Sequence, residues 1–258
     1  MNNKNVLIIG ASSGLGRAVA LQCAKEGANV IISSRTSAAL EALRQQIESS
    51  GGICYAHPCD ICSEEAVQQL VTYSIDRFGH IDIAVLGSAV QYIDPVDQLD
   101  LKKVDTMFQT NVIGIIRCSR YLLPHMMERR FGHIVLISSI MGEAAFPHMV
   151  SYGATKAAIS CFTRGLYREV SPYGIDVTLV SPGHMNTNLS AHLQDRTPHW
   201  YGKSGSLDIE KVAHEMILTI KKRRTEAIIG RQSKMLSRMI RFFPPVANRI
   251  IQKITTSI

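Results

Sequence analysis

Short runs of β-branched and aliphatic residues alternate along the chain with longer stretches whose apolar positions recur every three to four residues. The short runs, at residues 6–9, 30–32, 53–56, 81–86, 134–137, 177–180 and 227–229, predict seven strands. The longer stretches predict helices from about residue 14, around 38–47, from 63, and over 101–127, 152–170 and 209–220. Several strands are too apolar throughout to leave a face for water, which implies a parallel sheet covered by helices on both sides. A closed barrel and an open doubly wound sheet both satisfy that pattern.

The first strand-to-helix turn separates the two. It reads Gly10-Ala11-Ser12-Ser13-Gly14-Leu15-Gly16, with glycines spaced GxxxGxG. Glycine permits positive φ and close approach of backbone to phosphate, as a pyrophosphate at a helix N-terminus requires. Gly10, Ser12, Ser13, Gly14, Leu15 and Gly16 are therefore candidate dinucleotide contacts, and the expected fold is α/β: a Rossmann-like doubly wound parallel sheet in a single domain. After the second strand the chain reads Ser33-Ser34-Arg35-Thr36, with no acid for the ribose hydroxyls of NAD. Ser34 and Arg35 suit a 2′-phosphate instead, so the expected cofactor is NADP(H).

Tyr152 and Lys156 stand four residues apart and share one face of a helix. A phenol transfers protons poorly at neutral pH, and a neighbouring ammonium favours its phenolate, so the pair forms a tunable acid-base group. Ser138-Ser139 closes the preceding strand.

Taken together, the GASSGLG turn, Asn111 in QTNVIG, Ser139, the YGATK segment and Ser181-Pro182-Gly183 resemble the motifs of the classical short-chain dehydrogenase/reductase family, over roughly residues 4 to 230. The resemblance implies that Tyr152 donates and accepts the proton and that Ser139 polarises the substrate carbonyl. It implies that Lys156 binds the nicotinamide ribose and lowers the tyrosine pKa, while Asn111 supports a proton-relay water. It also assigns Asp60 to the adenine region, Pro182 and Gly183 to the nicotinamide side, and Thr187 to the cofactor amide or pyrophosphate. The chain departs from the family after the fourth strand, where Leu86-Gly87-Ser88-Ala89 replaces the usual Asn-Asn-Ala-Gly. That departure touches the adenine-side wall and the hydrogen bonding of the central sheet.

Cys54, His57, Cys59 and Cys62 imitate a metal cluster, but they occupy the third strand and its exit turn. Buried thiols are the expectation there, and no metal is assigned. The six cysteines follow no secreted framework, and the N-terminus carries no leader pattern, which points to a cytoplasmic protein.

Charge changes the picture only at the C-terminus. The net charge is +7, and residues 203–258 hold 12 basic and 4 acidic side chains against 16 and 17 in the rest. The expected division is therefore a catalytic domain over 1–232 and a basic amphipathic extension over 233–258. Within the extension Met235, Leu236, Met239, Ile240 and Phe243 recur at helical spacing; Pro244-Pro245 interrupts them, and Val246, Ala247, Ile250, Ile251 and Ile254 resume it. Such a segment suits a membrane surface, the mouth of the active site or a subunit interface. No nucleic-acid recognition motif accompanies the charge, so specific nucleic-acid binding is not expected.

The expected function is an NADP(H)-dependent oxidoreductase that interconverts a ketone or aldehyde with an alcohol, on a hydrophobic substrate of steroid, retinoid or lipid type. Two alternatives stay open: a 3-oxoacyl-carrier-protein reductase and a non-catalytic dinucleotide sensor or scaffold. A homodimer or homotetramer is the expected assembly.

Overall fold

The computed structural model describes residues 1–187, 189, 197–198, 200–201 and 205–256. Among the described residues seven strands, β1 (Asn5–Ile9), β2 (Asn29–Ser34), β3 (Ile53–Pro58), β4 (Ile83–Leu86), β5 (Gly132–Ile137), β6 (Ile175–Pro182) and β7 (Glu226–Ile229), form one sheet in the order β3-β2-β1-β4-β5-β6-β7. Every pairing is parallel. Strand alternation explains the two covered faces. Val6 and Ile8 point into one core with α1 (Gly14–Lys25), α2 (Ser37–Ser49) and α7 (Ile209–Lys221). Leu7 and Ile9 point into the other, with α3 (Glu64–Phe78), α5 (Ile115–Arg129) and α6 (Val150–Val170). Each fully buried Leu or Ile on β1 contributes roughly 1.5–3 kcal/mol, so the strand that carries the glycine turn is held from both sides.

Two elements differ from the sequence expectation. Ile81 is buried but precedes β4, because pairing with β1 begins only at Ile83 against Val6. The helix expected over 101–127 is interrupted: α4 (Leu101–Phe108) passes through a π-helical turn, Gln109–Gly114, before α5 begins. The extra residue in that turn rotates Asn111 inward, where it is buried, and such turns mark functional sites often enough to be informative. Gly114 brings the same turn against Ile61, where an added Cβ would lie 2.7 Å from the isoleucine side chain.

The altered Leu86-Gly87-Ser88-Ala89 segment leaves the central ladder intact. Leu86 is buried in register with Ile9 and Leu136, and the Gly87 N–H donates to the Ile9 carbonyl at 2.9 Å. At the C-terminus α8 (Arg231–Phe242) and α9 (Pro244–Thr256) form a helical hairpin. The two prolines begin α9, where a missing N–H costs least, and Phe243 lies between the helices. Among the described residues no helix is long and apolar enough to cross a membrane.

Candidate functional site

A cavity of about 1140 Å³ opens along the C-terminal ends of the strands, at the point where the order reverses between β1 and β4. One half is built from backbone. Gly10 has φ +92°, and a Cβ there would lie 2.7 Å from the Ser88 nitrogen, so the glycine turn and the β4 exit can touch only without a side chain. The Ser33 carbonyl anchors the turn by accepting from both Gly10 and Ala11 N–H. Gly16 packs directly under the Gly10 carbonyl, and a Cβ at Gly14 would meet the Thr187 methyl at 3.3 Å.

The first turn of α1 has neither a side-chain cap at Ser13 nor an acidic residue. Its free N–H groups and the positive end of its dipole face the cavity beside Gly14, an arrangement that fits a pyrophosphate. Ser12, Ser13, Leu15, Ser34, Arg35 and Asp60 line the same half, as do Pro182, Gly183 and Thr187 on the opposite wall. Arg35 is exposed at the end of β2, and Asp60, also exposed, accepts from the Cys62 N–H within its own loop.

The other half gathers side chains. Ser139, Tyr152 and Lys156 all line the cavity, with the Lys156 Nζ 5.7 Å from the centre of the Tyr152 ring. Lys156 donates to the Ile137 carbonyl at 3.0 Å, and burial pushes its ammonium down to about 8. Burial pushes the Tyr152 phenol up; Tyr201 adds to that effect, and a hydrogen bond with Ser139 opposes it. The Ser139 Oγ also accepts from the Met141 N–H at 3.2 Å, which fixes the hydroxyl at the start of the turn after β5.

The Asn111 side chain clamps the β4 exit in both directions: Oδ1 accepts from the Val90 N–H at 2.8 Å, and Nδ2 donates to the Val90 carbonyl at 2.9 Å. Nδ2 also reaches Thr155 Oγ1 at 3.1 Å, and that hydroxyl donates to the Tyr152 carbonyl at 2.7 Å. One amide therefore links the π-turn, the cofactor wall and the helix that carries Tyr152.

The sequence reading left Ser138 and Thr155 without a role. Ser138 Oγ donates to the Lys156 carbonyl at 2.8 Å and lies 2.9 Å from Ser160 Oγ, pinning β5 to α6 behind the lysine. Gly142 permits that closeness, since a Cβ there would meet the Lys156 backbone at 2.8 Å. A small residue beside the predicted serine was the only available signal.

Above the tyrosine, Ile93, Met107, Met149 and Trp200 form an apolar cluster that includes Tyr152 itself. Met141, Met149 and Met185 line the cavity, with Leu236 and Met239 of α8 and Ile251 of α9 closing one side. His184 also lines it, against the Tyr201 ring at 4.6 Å, with burial holding the imidazole below its ordinary value. Part of the segment 183–207 that follows β6 lies outside the described residues. Its ends are joined, with Met185 bridging to Leu207. The cysteines of the third strand do not converge, because Cys54 enters the first core and Cys59 the second.

A family model for short chain dehydrogenases matches residues 4–198. The chain is 29% identical over 256 residues to dehydrogenase/reductase SDR family member 7B of Bos taurus, covering 95% of this chain and 79% of that protein. It is 30% identical over 194 residues to a 3-oxoacyl-acyl-carrier-protein reductase of Staphylococcus epidermidis, covering 75% of this chain and 80% of that one. A short chain dehydrogenase/reductase from Burkholderia phymatum, solved in complex with NAD, superposes with a TM-score of 0.86 at 21% identity over 95% of both chains. The matched model spans most of the fold and every strand up to β6, and the chain belongs to the short chain dehydrogenase family.

Proposed function

We propose that this oxidoreductase uses NADP(H) to interconvert a hydrophobic ketone or aldehyde with its alcohol, with Tyr152 as the proton donor and acceptor. The convergence of Ser139, Tyr152 and Lys156 on one cavity beside an uncapped helix N-terminus carries the reading. The α1 N-terminus and Gly14 take the pyrophosphate, and Ser34 and Arg35 take the 2′-phosphate. Asp60 borders the adenine; Pro182, Gly183 and Thr187 border the nicotinamide. When bound, the dinucleotide supplies or receives the hydride.

In this reading the Ser139 hydroxyl donates to the substrate carbonyl oxygen, and the Tyr152 phenol transfers its proton to the same oxygen. Burial and Tyr201 oppose phenolate formation and the bond with Ser139 favours it; this reading assigns the Lys156 cation the rest of that task. Asn111 acts through Val90 and Thr155 by holding both walls in register. The wall of Met141, Met149, Trp200, Leu236 and Met239 favours an apolar carbonyl of steroid, retinoid or lipid type.

The relative from Staphylococcus epidermidis keeps 3-oxoacyl-carrier-protein reduction as a second reading. A panel of ketosteroids, retinoid and aliphatic aldehydes, oxoacyl thioesters and sugars, followed through nicotinamide absorbance with NADPH and NADH, tests both. Oxidation of NADPH by an apolar carbonyl is expected. Turnover restricted to oxoacyl thioesters would favour the second reading, and tight dinucleotide binding with no turnover on any carbonyl would favour a sensor.

A further inference from the structure

Helices α8 and α9 close one side of the cavity, yet they turn much of their apolar surface outward. Ala247, Ile251 and Thr255 of α9 face the body of the protein, and Ser233 of α8 packs between Gly183 and Gly230. On the other side Met235, Val246, Ile250 and Ile254 are exposed, and Phe242 and Phe243, at the turn of the hairpin, are 66% and 62% exposed. Two adjacent phenylalanines with that much ring in water are unusual on a surface meant to stay solvated.

The charged residues of the hairpin itself are of one sign, although Lys234 pairs with Glu215 of α7 at 3.8 Å. Arg231, Lys234, Arg238, Arg241, Arg249 and Lys253 all lie on the hairpin, and no Asp or Glu occurs between residues 231 and 256. At 100° per residue, Arg231 and Arg238 flank Phe242 and Met235 on α8, while Arg249 and Lys253 flank Val246 and Ile250 on α9. Apolar side chains bordered by cations match the two layers of an anionic bilayer surface, acyl boundary below and phosphates above. A second copy of the chain fits less well, because a two-fold contact through this face would set its cations against themselves.

The exposed strip is continuous with the cavity. Met235, Ile250 and Ile254 are exposed and also line it. We propose that the α8–α9 hairpin docks on anionic membranes through Phe242, Phe243 and Val246, and that the cavity opens toward the lipid so that its apolar carbonyl enters from the bilayer. The docking stands on the hairpin alone; entry from the bilayer rests on the carbonyl-reduction reading above.

The test uses the full chain and sucrose-loaded vesicles of phosphatidylcholine mixed equally with phosphatidylglycerol, beside vesicles of phosphatidylcholine alone. At low salt the protein should pellet with the mixed vesicles and not with phosphatidylcholine alone. Phe242→Glu combined with Phe243→Glu should weaken that binding by roughly tenfold or more. Neither phenylalanine lines the cavity, so the variant should keep its melting temperature and its rate on a water-soluble carbonyl. It should lose its rate on a long-chain aldehyde dissolved in the mixed vesicles. Wild-type protein that stays in the supernatant, or a double variant that pellets equally well, overturns the docking. Wild-type protein that stays in the supernatant, while the double variant dissociates to a smaller species in plain buffer, assigns the face to a second copy. Vesicle binding by wild-type protein with no turnover of either carbonyl leaves the docking standing and overturns the carbonyl reading.

Discussion

The glycine turn after β1 and the helical hairpin at the C-terminus border the same cavity and are built in opposite ways. The turn is backbone on backbone: Gly10 against Ser88, Gly16 under the Gly10 carbonyl, both Gly10 and Ala11 N–H tied to Ser33. Nothing in it can change size without displacing a strand of the central sheet. The hairpin presents Met235, Leu236, Met239, Ile250, Ile251 and Ile254, among them the flexible methionines, on helices that lie outside the sheet. A rigid half suits a ligand that never varies, and an adaptable half suits a ligand chosen by shape. The proposed reacting groups stand at the seam, on the turn after β5 and on α6.

That contrast can be broken at four points. The largest effect belongs to the seam. Tyr152→Phe removes the transferable proton and keeps the ring, so kcat should fall by about 10²–10⁴ while the dissociation constant for NADPH stays near wild type. Near-normal turnover would remove the tyrosine from the chemistry.

In the rigid half, Arg35→Ala should weaken NADPH binding by roughly 10–100-fold through loss of charge-assisted hydrogen bonds, and leave NADH binding nearly unchanged. Equal loss for both coenzymes would mean that Arg35 does not read the 2′-phosphate. In the adaptable half, Met239→Trp should change KM for bulky carbonyls by roughly tenfold and leave the NADPH dissociation constant alone. Were the coenzyme affinity to move with it, the two halves would not be separable.

The smallest effect concerns stability. Burial pushes the Lys156 ammonium down from its ordinary 10.5 to about 8. Below pH 8 the folded and unfolded states are both charged, and folding carries the whole cost of burying the ammonium. Between 8 and 10.5 the unfolded state binds more protons, so stability rises with pH until the cost is gone. Lys156→Met should therefore raise Tm at pH 7, by about 2–4 °C for each kcal/mol relieved, and the gap over wild type should close toward pH 10.5. A variant that melts lower at pH 7 would show that the bond to the Ile137 carbonyl outweighs desolvation.

The two halves were also unequally legible in the sequence. Glycines at fixed spacing after an apolar strand announce a local backbone geometry, and the turn formed where that spacing placed it. The seven strands were legible because both faces of the sheet are buried, which leaves uninterrupted apolar runs. Asn111, Ser139, Tyr152 and Lys156 could be named from their motifs, but not what holds them. The π-turn inside the helix over 101–129, the Ser138 bond behind Lys156 and the Thr155 link to Asn111 depend on contacts between elements distant in the chain. The hairpin showed its amphipathic period, while its place on the cavity wall depended on Ser233 seating against Gly183.

The strand order also bears on how the chain is made. β1 is synthesised first yet sits at the centre of the sheet, and its partner β4 ends at Leu86. At about 5–20 residues per second, β2 can cover one edge of β1 early, but the other edge waits several seconds for β4 to emerge. During that interval the Asn5–Ile9 strand, wholly apolar after its first residue, offers an unpaired row of amide groups to any neighbouring nascent chain. Slower initiation or lower temperature, by spacing the nascent chains apart, should raise the soluble yield of this protein more than that of one whose central strand is synthesised late.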